Sequence, residues 1–413
     1  MVPKLRFKEF CGKWEEKRLG DVFKFMPTNS FSRNDLNYIE GDIYNIHYGD
    51  IHMIYPTITD AQKETFPYIN REKKLDVCSE LLCEDGDVLL ADASEDYDDI
   101  GKAIEIINVG DKKIVSGLHT IFMKDYKKIY ANKFRGFMMN SNSVRKQIKV
   151  LAAGAKVLGI SKSNISKVKM PLPSLPEQTK IADFLSTVDE KIQNQKDKIT
   201  HLENIKKGFM QKIFSRKIRF KDDGGEEFSE WEEKKLGEFM IIPDKEKIDI
   251  IDNNKLLSVR LHLEGVEKNK NTSSLKLGST IYYKRKSGQF IYGKQNFFNG
   301  AFGIIPKDLD GFLSSGDVPS LDIKKEKIIP QYLMYYMGRK SFYKAQEKLS
   351  AGTGSKRIHE NTLLNIIIKT PCLEEQQKIA DFLSSFDKKI STEKKTLEHL
   401  KELKKGLLQQ MFV

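Results

Sequence analysis

The chain carries two copies of one long segment, and this duplication constrains its fold more than any other feature of the sequence. The segment EQTKIADFLSTVDEKI begins at Glu177, and the related segment EEQQKIADFLSSFDKKI begins at Glu374, so that Glu177 aligns with Glu375. The alignment keeps this offset, 375 − 177 = 198 residues, without a gap as far as Phe214 and Phe412. Self-similarity of this length indicates two copies of one structural unit.

A second pair of matching segments opens each half of the chain. The sequence WEEKRLG at Trp14 matches WEEKKLG at Trp231, at an offset of 231 − 14 = 217 residues. Between these matching ends the two halves align poorly. We interpret the matched ends as a constant frame, and the unmatched middles as two heads that read different targets.

The repeated segments have the apolar spacing of long helices. Apolar residues recur at steps of three and four in both copies: Ile181, Leu185, Val188, Ile192, Ile199, Leu202, Phe209 and Ile213 in the first, and Ile379, Leu383, Phe386, Ile390, Leu397, Leu400, Leu407 and Met411 in the second. This heptad spacing predicts two helices with one apolar seam each. Polar residues interrupt the seams at matching positions, namely Gln195 and Lys206 in the first copy and Glu393 and Lys404 in the second.

The two predicted helices can pair with each other. A helix of about 38 residues is about 57 Å long at the usual rise per residue. Antiparallel pairing within one chain predicts a coiled-coil spacer with one head at each end and a pseudo-two-fold internal repeat. In the alternatives, each helix packs on its own head, or the helices form a coiled coil with a second chain.

Each head combines β-prone runs with helical ones, so we predict an α+β fold with two α/β heads. The predicted boundaries are 1–172 for the first head, 173–216 for the first spacer helix, 217–370 for the second head and 371–413 for the second spacer helix. Predicted strands of the first head begin at Val88, Ile104 and Thr120, and helices are predicted over 132–150 and 330–349. The segment 278–283 is interpreted as the counterpart of the turn and strand that begin at Gly86.

The charge balance favours a polyanionic partner. Lys and Arg number 70 against 58 Asp and Glu, a net charge of +12 at neutral pH, and such an excess is typical of proteins that contact phosphates. A merely lysine-rich composition is the alternative.

Candidate DNA-binding residues lie in two kinds of segment. One is a basic and aromatic stretch of the second head, and the other is the loop before each spacer helix. The candidates are Tyr283, Lys284, Arg285, Lys286 and Lys294 in the stretch, with Tyr292, Phe297 and Phe298 interleaved, and Lys156, Ser161, Lys162, Ser355, Lys356 and Arg357 in the loops. Glycines and cations in such loops can form a phosphate cradle. A solvated face or a structural turn would account for the same residues without DNA.

The sequence lacks the motifs of a catalyst. There is no GxxxxGK[ST] nucleotide loop, no GxGxxG cofactor loop and no Asn-Pro-Pro-Tyr type tetrapeptide of an amino-methyltransferase. The four cysteines lack metal-ligand spacing, and a reducing compartment suits them. Because neither a signal peptide nor an apolar run of about 20 residues is found, we expect a cytoplasmic protein without a catalytic, cofactor or metal site. A self-contained methyltransferase or nuclease and a pure assembly scaffold are the alternatives.

These motifs resemble those of a known family. The pattern Pro-x-Leu-x-Glu-Gln-x-x-Ile-Ala-x-Phe-Leu occurs at Pro173 and at Pro371, and Trp-x-x-x-x-Leu-Gly occurs at Trp14 and at Trp231. With Gly-Asp-Val-Leu at Gly86, the chain resembles, over essentially its whole length, the specificity subunit of type I restriction–modification systems. The second head departs from the pattern at residues 278–281, where the Asp is missing.

The resemblance implies a specific function. The heads would be target recognition domains, each reading one half of a split sequence in double-stranded DNA. The helices would form the spacer and bind two copies of an adenine methyltransferase subunit, and ATP-dependent translocating restriction subunits would join the complex. S-adenosylmethionine, ATP and magnesium would then belong to these partners.

Overall fold

The computed structural model describes residues 2–73, 75, 78–154, 156–244, 246, 248, 252–270, 280–350 and 356–412. The chain divides into two compact units, one formed by 1–198 with 393–413 and the other by 199–392. Each unit therefore contains one head and a part of both long helices. Among the described residues, no helix is both long enough and apolar enough to cross a membrane.

The first unit is built on short strands and helices. Its described strands are β1 Glu15–Arg18, β2 Phe23–Met26, β3 Leu36–Asn37, β4 Tyr44–Ile46, β5 Ile58–Asp60, β6 Tyr68–Ile69, β7 Val88–Ala91, β8 Ala93–Ser94, β9 Ala103–Ile107, β10 Ile114–Ser116, β11 Thr120–Asp125, β12 Leu158–Gly159 and β13 Lys169–Leu172. The helices are α1 Leu19–Val22, α2 Tyr48–Met53, α3 Phe134–Met139, α4 Asn142–Leu151 and α5 Lys162–Ile165, followed by the long α6 Leu175–Phe214.

The second unit repeats this plan, with fewer strands among its described residues. Its described strands are β14 Glu232–Lys235, β15 Met240–Ile241, β16 Leu257–Val259, β17 Val266–Lys268, β18 Tyr282–Lys284, β19 Phe290–Tyr292, β20 Phe302–Ile304, β21 Leu313–Ser315, β22 Ser320–Ile323 and β23 Ile367–Thr370. The helices are α7 Leu236–Phe239, α8 Pro330–Met337, α9 Lys340–Ala345, α10 Glu360–Leu364 and the long α11 Leu373–Met411.

The central sheet of each unit is buried on both faces. In the first unit the strand order is β2-β11-β7-β9-β5, and in the second it is β15-β22-β19-β20. Successive side chains of β7 point to opposite faces, so Val88 and Leu90 join one apolar cluster while Leu89 and Ala91 join another. On β19 the same alternation places Tyr292 in one apolar cluster and its neighbour Ile291 in another. Mixed α/β heads are thus confirmed.

The counterpart of the turn at Gly86 was assigned wrongly from the sequence. Strand β18 pairs with β21 outside the central sheet, whereas β19, preceded by Gly288, holds the place of β7. Gly86 donates to Ile106 O at 2.7 Å and Gly288 donates to Ile305 O at 2.9 Å, both with positive φ. The error arose because a difference in loop length between the heads shifts the counterpart away from 278–283.

Gln289 therefore takes the place of Asp87. The Asp87 carboxylate accepts a hydrogen bond from Glu84 N at 2.8 Å, and the Gln289 amide oxygen accepts one from Lys286 N at 2.9 Å. The turn thus keeps its geometry without the carboxylate.

Each predicted head helix is divided in two. The first is interrupted after Met139, where the Asn140 amide group exchanges hydrogen bonds with the main chain of Ala103. The second is interrupted after Met337, at Gly338. These breaks let the chain turn over the sheet, which periodicity alone does not predict.

The two long helices α6 and α11 confirm the predicted pair of long antiparallel helices. In the first unit they run antiparallel, since Asp189 pairs with Lys404 at 2.6 Å and Gln195 donates to the Glu393 carboxylate at 2.7 Å. Two of the polar residues that interrupt the apolar seams, Gln195 and Glu393, therefore contact each other, whereas Lys404 pairs with an Asp of the facing helix. Glu393 is the residue that matches Gln195 in the second repeat, and a polar contact of this kind fixes the register of a coiled coil.

The same antiparallel pairing occurs in the second unit. Lys206 pairs with Asp387 at 2.5 Å, and the rings of Phe209 and Phe382 lie 5.0 Å apart. The alternative that each helix packs only on its own head is excluded by these contacts.

The Glu of the repeated motif anchors each long helix. In the first unit the buried Glu177 accepts hydrogen bonds from Arg6 at 2.7 Å and from the Trp14 indole at 3.1 Å. In the second unit Glu375 accepts them from Arg219 at 2.9 Å and from Trp231 at 3.1 Å. The Trp and the Glu that match between the repeats are therefore hydrogen-bonded to each other within each half.

The neighbouring Gln binds each head to its helix. The Gln178 amide oxygen accepts from Ala131 N at 2.8 Å, and its NH₂ group donates to Ile129 O at 3.2 Å. Gln376 accepts from Ile329 N at 2.9 Å in the same manner. The repeated motif is thus a structural anchor for both heads.

Candidate nucleic-acid interface

The loop before α5 contacts the end of the central sheet in the first unit. The Asp92 amide, just after β7, donates to His119 O at 3.0 Å, and Ile160 N donates to Asp92 O at 2.9 Å. These hydrogen bonds bring together three segments that are far apart in the sequence. We call Asp92, His119 and residues 156–162 the first corner.

The second unit has the same backbone arrangement. Lys294 N, just after β19, donates to Asp317 O at 2.9 Å, and Ile358 N donates to Lys294 O at 3.0 Å. We call Lys294, Asp317 and residues 356–360 the second corner. Its backbone hydrogen bonds match those of the first corner one for one, so the frame is shared.

The side chains of the first corner are polar and partly exposed. The His119 ring is hydrogen-bonded through Nδ1 to the Asp92 carboxylate at 3.2 Å, and its side chain is 51% exposed. His119 has a φ of 55°, which is uncommon for a residue other than glycine. Its ring lies 5.3 Å from the ring of Tyr48.

Asp92 is the more buried member of this pair. Burial raises the pKa of the Asp92 carboxyl, while the nearby charges of His119 and Lys162 oppose the rise. The Lys162 ammonium itself donates to Met26 O at 2.8 Å, so it is held at the corner by the main chain.

Different side chains occupy the same frame in the second corner. Lys294 pairs with Glu360 at 3.0 Å, and both side chains are nearly buried. Arg357 pairs with Asp317 at 3.3 Å, with exposed fractions of 43% and 59%. The ring of Tyr283 lies beside this corner. Its Cε2 atom is 3.8 Å from the position that a Cβ atom would take at Gly316, the neighbour of Asp317.

The structure therefore brings together several residues that the sequence predicted separately. Lys294 and Arg357, from two segments of the second head, both belong to the second corner, and Tyr283, from a third segment, lies beside it. That they contact DNA remains a prediction.

Other predicted residues lie on the surface near these corners or have structural roles. Lys156 is exposed, and Ser161 caps α5 by accepting from Asn164 N at 3.2 Å. Lys356 is exposed and pairs with Glu347 at 2.9 Å. Ser355 lies outside the described residues.

The two lysines beside Arg285 also point outward. Lys284 lies 3.7 Å from the Glu246 carboxylate, and the side chain of Lys286 is exposed. Both remain predicted DNA contacts, because both side chains are exposed.

Arg285 has a different role from the one predicted. Its side chain is buried, and its guanidinium donates to Ser314 Oγ at 2.7 Å and to Val318 O at 3.2 Å. Burial lowers the pKa of Arg285 to about 10. Because these hydrogen bonds lie inside the domain, Arg285 has a structural role, and the prediction that it contacts DNA is withdrawn.

The interleaved aromatic residues are also structural. Tyr292 and Phe297 are fully buried and Phe298 nearly so, all in the apolar core of the second unit. In the first head, His47 and Tyr55 are buried as well.

The sequence did not single out Asp92, His119 or Asp317. The heads align poorly between their matched ends, so no repeat signal marked these positions. The signal that would have found Asp92 is its place directly after the predicted strand at Val88, where a polar residue follows a buried run.

Comparison with known proteins identifies the family. The DNA specificity domain of type I restriction modification systems matches residues 12–204 and 228–402. The chain belongs to this family. Each match to the specificity domain covers one head with most of the long helix that follows it, so the two matches coincide with the two repeats.

Two curated specificity subunits of Methanocaldococcus jannaschii are similar to the chain. The type I restriction enzyme MjaVIII specificity subunit is 30% identical over 63% of this chain, a stretch that spans 65% of the relative. The putative type I restriction enzyme MjaX specificity subunit is 23% identical over 98% of this chain and 94% of its own length.

The fold of the specificity family is also found among solved structures. The type I restriction-modification S subunit from M. genitalium matches with a TM-score of 0.56 at 15% identity, over 100% of this chain and 99% of that one. The two heads and both long helices therefore have equivalents in a solved structure.

Proposed function

We propose that this chain recognises a two-part sequence in double-stranded DNA and directs an adenine methyltransferase and restriction subunits to it. The observation that carries the proposal is the pair of corners. Two heads share one backbone frame but present different side chains on it, as expected for two readers of different sequences.

The excess of positive charge supports a DNA partner. Specific DNA binding needs cations that contact phosphates in addition to groups that contact base edges. Exposed cations, among them Lys156, Lys286 and Lys356, lie in the segments that carry the corners or near them. Binding should therefore weaken steeply as the salt concentration rises.

The long helices are proposed as the spacer between the half-sites. Their antiparallel contacts and polar register positions make a stiff pair, which suits readers held a fixed number of base pairs apart. We further propose that two methyltransferase subunits bind this chain and that restriction subunits join them.

The chemistry is assigned to these partners. S-adenosylmethionine, ATP and magnesium would bind to the methyltransferase and restriction subunits, and the isolated chain should transfer no methyl group and cut no DNA. In the described residues no group of three or more His, Cys, Asp or Glu is placed to hold a metal ion.

A head exchange tests the proposal. The chain is reconstituted with its methyltransferase partner, and methylated adenines are mapped by sequencing. Replacing residues 21–152 by the head of another specificity subunit should change one half-site and leave the other unchanged. Insertion of two heptads into both long helices, in register, should change only the number of unread base pairs.

Two results would contradict the proposal. A change in both half-sites after one head is exchanged would show that the heads do not read independently. Methyl transfer by the isolated chain would place the chemistry here and not in a partner.

A further inference from the structure

We propose that the exposed pair at each corner reads a base edge, with Arg357 the specificity-determining residue of the second head and His119 that of the first. This inference rests on the proposed function, because it names the residues through which the heads would distinguish sequences. Asp317 and Asp92 are then positioning residues.

The two pairs lie on one backbone frame but at different positions of it: the first joins the strand end to the turn, and the second joins that turn to the loop before the long helix. Asp92 and Lys294 follow equivalent strands, and His119 and Asp317 accept hydrogen bonds from them through equivalent carbonyl groups. In the first corner a carboxylate follows the strand, whereas in the second corner that place is taken by the Lys294 ammonium. The charge at this strand-end position therefore differs between the heads although the backbone is the same, as expected where the two heads recognise different sequences.

The exposure of the side chains agrees with this role. Lys294 and Glu360, at 13% and 12% exposure, neutralise each other inside the second corner. Arg357 and Asp317, at 43% and 59%, lie at its surface. A surface ion pair contributes little to stability, so the fold gives little reason for this pair to be present.

The chemistry of Arg357 indicates the base it reads. The guanidinium carries five N–H donors in a fixed plane, and the contact with Asp317 engages Nη1. A planar donor held in this way suits the O6 and N7 acceptors that guanine presents in the major groove. The carboxylate of Asp317 restricts the rotation of the side chain.

His119 offers a different pattern. When the ring is neutral and its Nδ1–H donates to the Asp92 carboxylate, Nε2 is an acceptor. An acceptor matches the exocyclic amino group of adenine or cytosine in the major groove. The positive φ of His119 holds the ring at the surface beside Tyr48, and strained backbone of this kind is characteristic of functional positions.

Cations flank both pairs. Lys156 and Lys162 accompany the first corner, and Lys356 precedes Arg357 in the second. Phosphate contacts from these residues would place the base-reading pair against the groove, since phosphate contacts set orientation and base contacts set sequence.

The test uses the full methyltransferase complex and the map of methylated adenines. Arg357→Ala should relax one base pair of the second half-site, reducing discrimination at that position by about 10- to 100-fold, with the first half-site unchanged. Arg357→Gln should shift the preference there from guanine toward adenine, because the Gln amide matches the N6 and N7 edge of adenine.

His119→Ala should relax one base pair of the first half-site only. Lys286→Ala is the matched control, because it removes an exposed cation of the second head outside the corner. It should reduce methylation of all sites to a similar extent, without a change in sequence preference.

The outcomes separate this inference from the proposed function. If the wild-type complex methylates a two-part sequence and Arg357→Gln and His119→Ala both retain every base preference, the corners do not read bases and the inference fails alone. If the wild-type complex shows no two-part sequence, the proposed function fails first. Relaxation of a single position in the expected half-site supports the inference, even where overall methylation falls.

Discussion

Loss of the buried carboxylate at Glu375 is the sharpest test of how the repeated motif holds the fold. Glu375 accepts hydrogen bonds from two nitrogens of Arg219, at 2.9 and 3.3 Å, and from the Trp231 indole at 3.1 Å. Glu375→Gln removes the charge and replaces one acceptor oxygen by an NH₂ group. Whichever oxygen position the NH₂ group takes, at least one N–H of the Arg219 guanidinium then faces a donor.

The expected loss of stability follows from burial and the remaining partners. Removing one partner of a buried ion pair costs about 3 to 5 kcal/mol. Arg219 is 16% exposed and keeps the carbonyl oxygens of Phe228 and Ser229. We therefore expect the second unit to lose about 2 to 3 kcal/mol of its free energy of unfolding, a shift of about 1 M in the urea midpoint.

The chain provides its own fluorescent reporters for this measurement. It has two tryptophans, and each lies at the anchor of a different unit. In a Trp14→Phe background the emission of Trp231 reports urea unfolding of the second unit alone. The matched control is Glu374→Gln, which removes the same charge from the exposed neighbouring residue.

Equal midpoints for the two variants would refute the reasoning. Such a result would mean that the buried carboxylate contributes no more than a surface charge near the helix N-terminus. A lower midpoint for Glu375→Gln alone would confirm that the matched Trp and Glu hold each head to its helix.

Two further predictions concern the same units. Burial raises the pKa of Asp87 to about 6 from 3.8, so its protonated form favours folding and the first unit should lose stability as the pH rises from about 4 to about 6. Asp87→Asn should abolish this loss, and at pH 7 its free energy of unfolding should exceed that of the wild type by up to about 3 kcal/mol. Urea unfolding of a Trp231→Phe variant measures this difference, and an unchanged pH profile would contradict the prediction. The equivalent Gln289 should contribute no such pH dependence to the second unit. Replacing Gln195 and Glu393 together by Leu should raise the free energy of unfolding by about 1 to 2 kcal/mol, since an apolar contact of similar volume avoids burying polar groups. Calorimetry checks this, and a lower melting temperature of the double variant would show that the polar contact stabilises the helix pair.

Much of the frame could be predicted from the sequence because it depends on local periodicity. Apolar residues at steps of three and four place the long helices within a few residues of their observed bounds, and the polar interruptions mark their register. The repeat also paired Trp14 with Trp231 and Glu177 with Glu375. It did not show that each Trp bonds to the Glu of its own half, since that contact joins residues more than 140 positions apart.

The recognition surface was only partly predictable. Alternation along a strand implies that Lys284 and Lys286 share one face and Arg285 the other, yet which face is buried depends on β21 and its neighbours. The loops before the spacer helices were found from their glycines and cations, while their partners were missed, because backbone hydrogen bonds carry no mark in the side-chain sequence.

By itself the sequence determined the duplication, the two helices and the basic character, since each is a property of local order or of composition. Only the tertiary structure decided which cations reach the surface and which carboxylates face them. Asp92 meets His119, and Arg357 meets Asp317, through closure of the sheet against a distant loop. That closure is set by the packing of both sheet faces, which no single segment of the chain specifies.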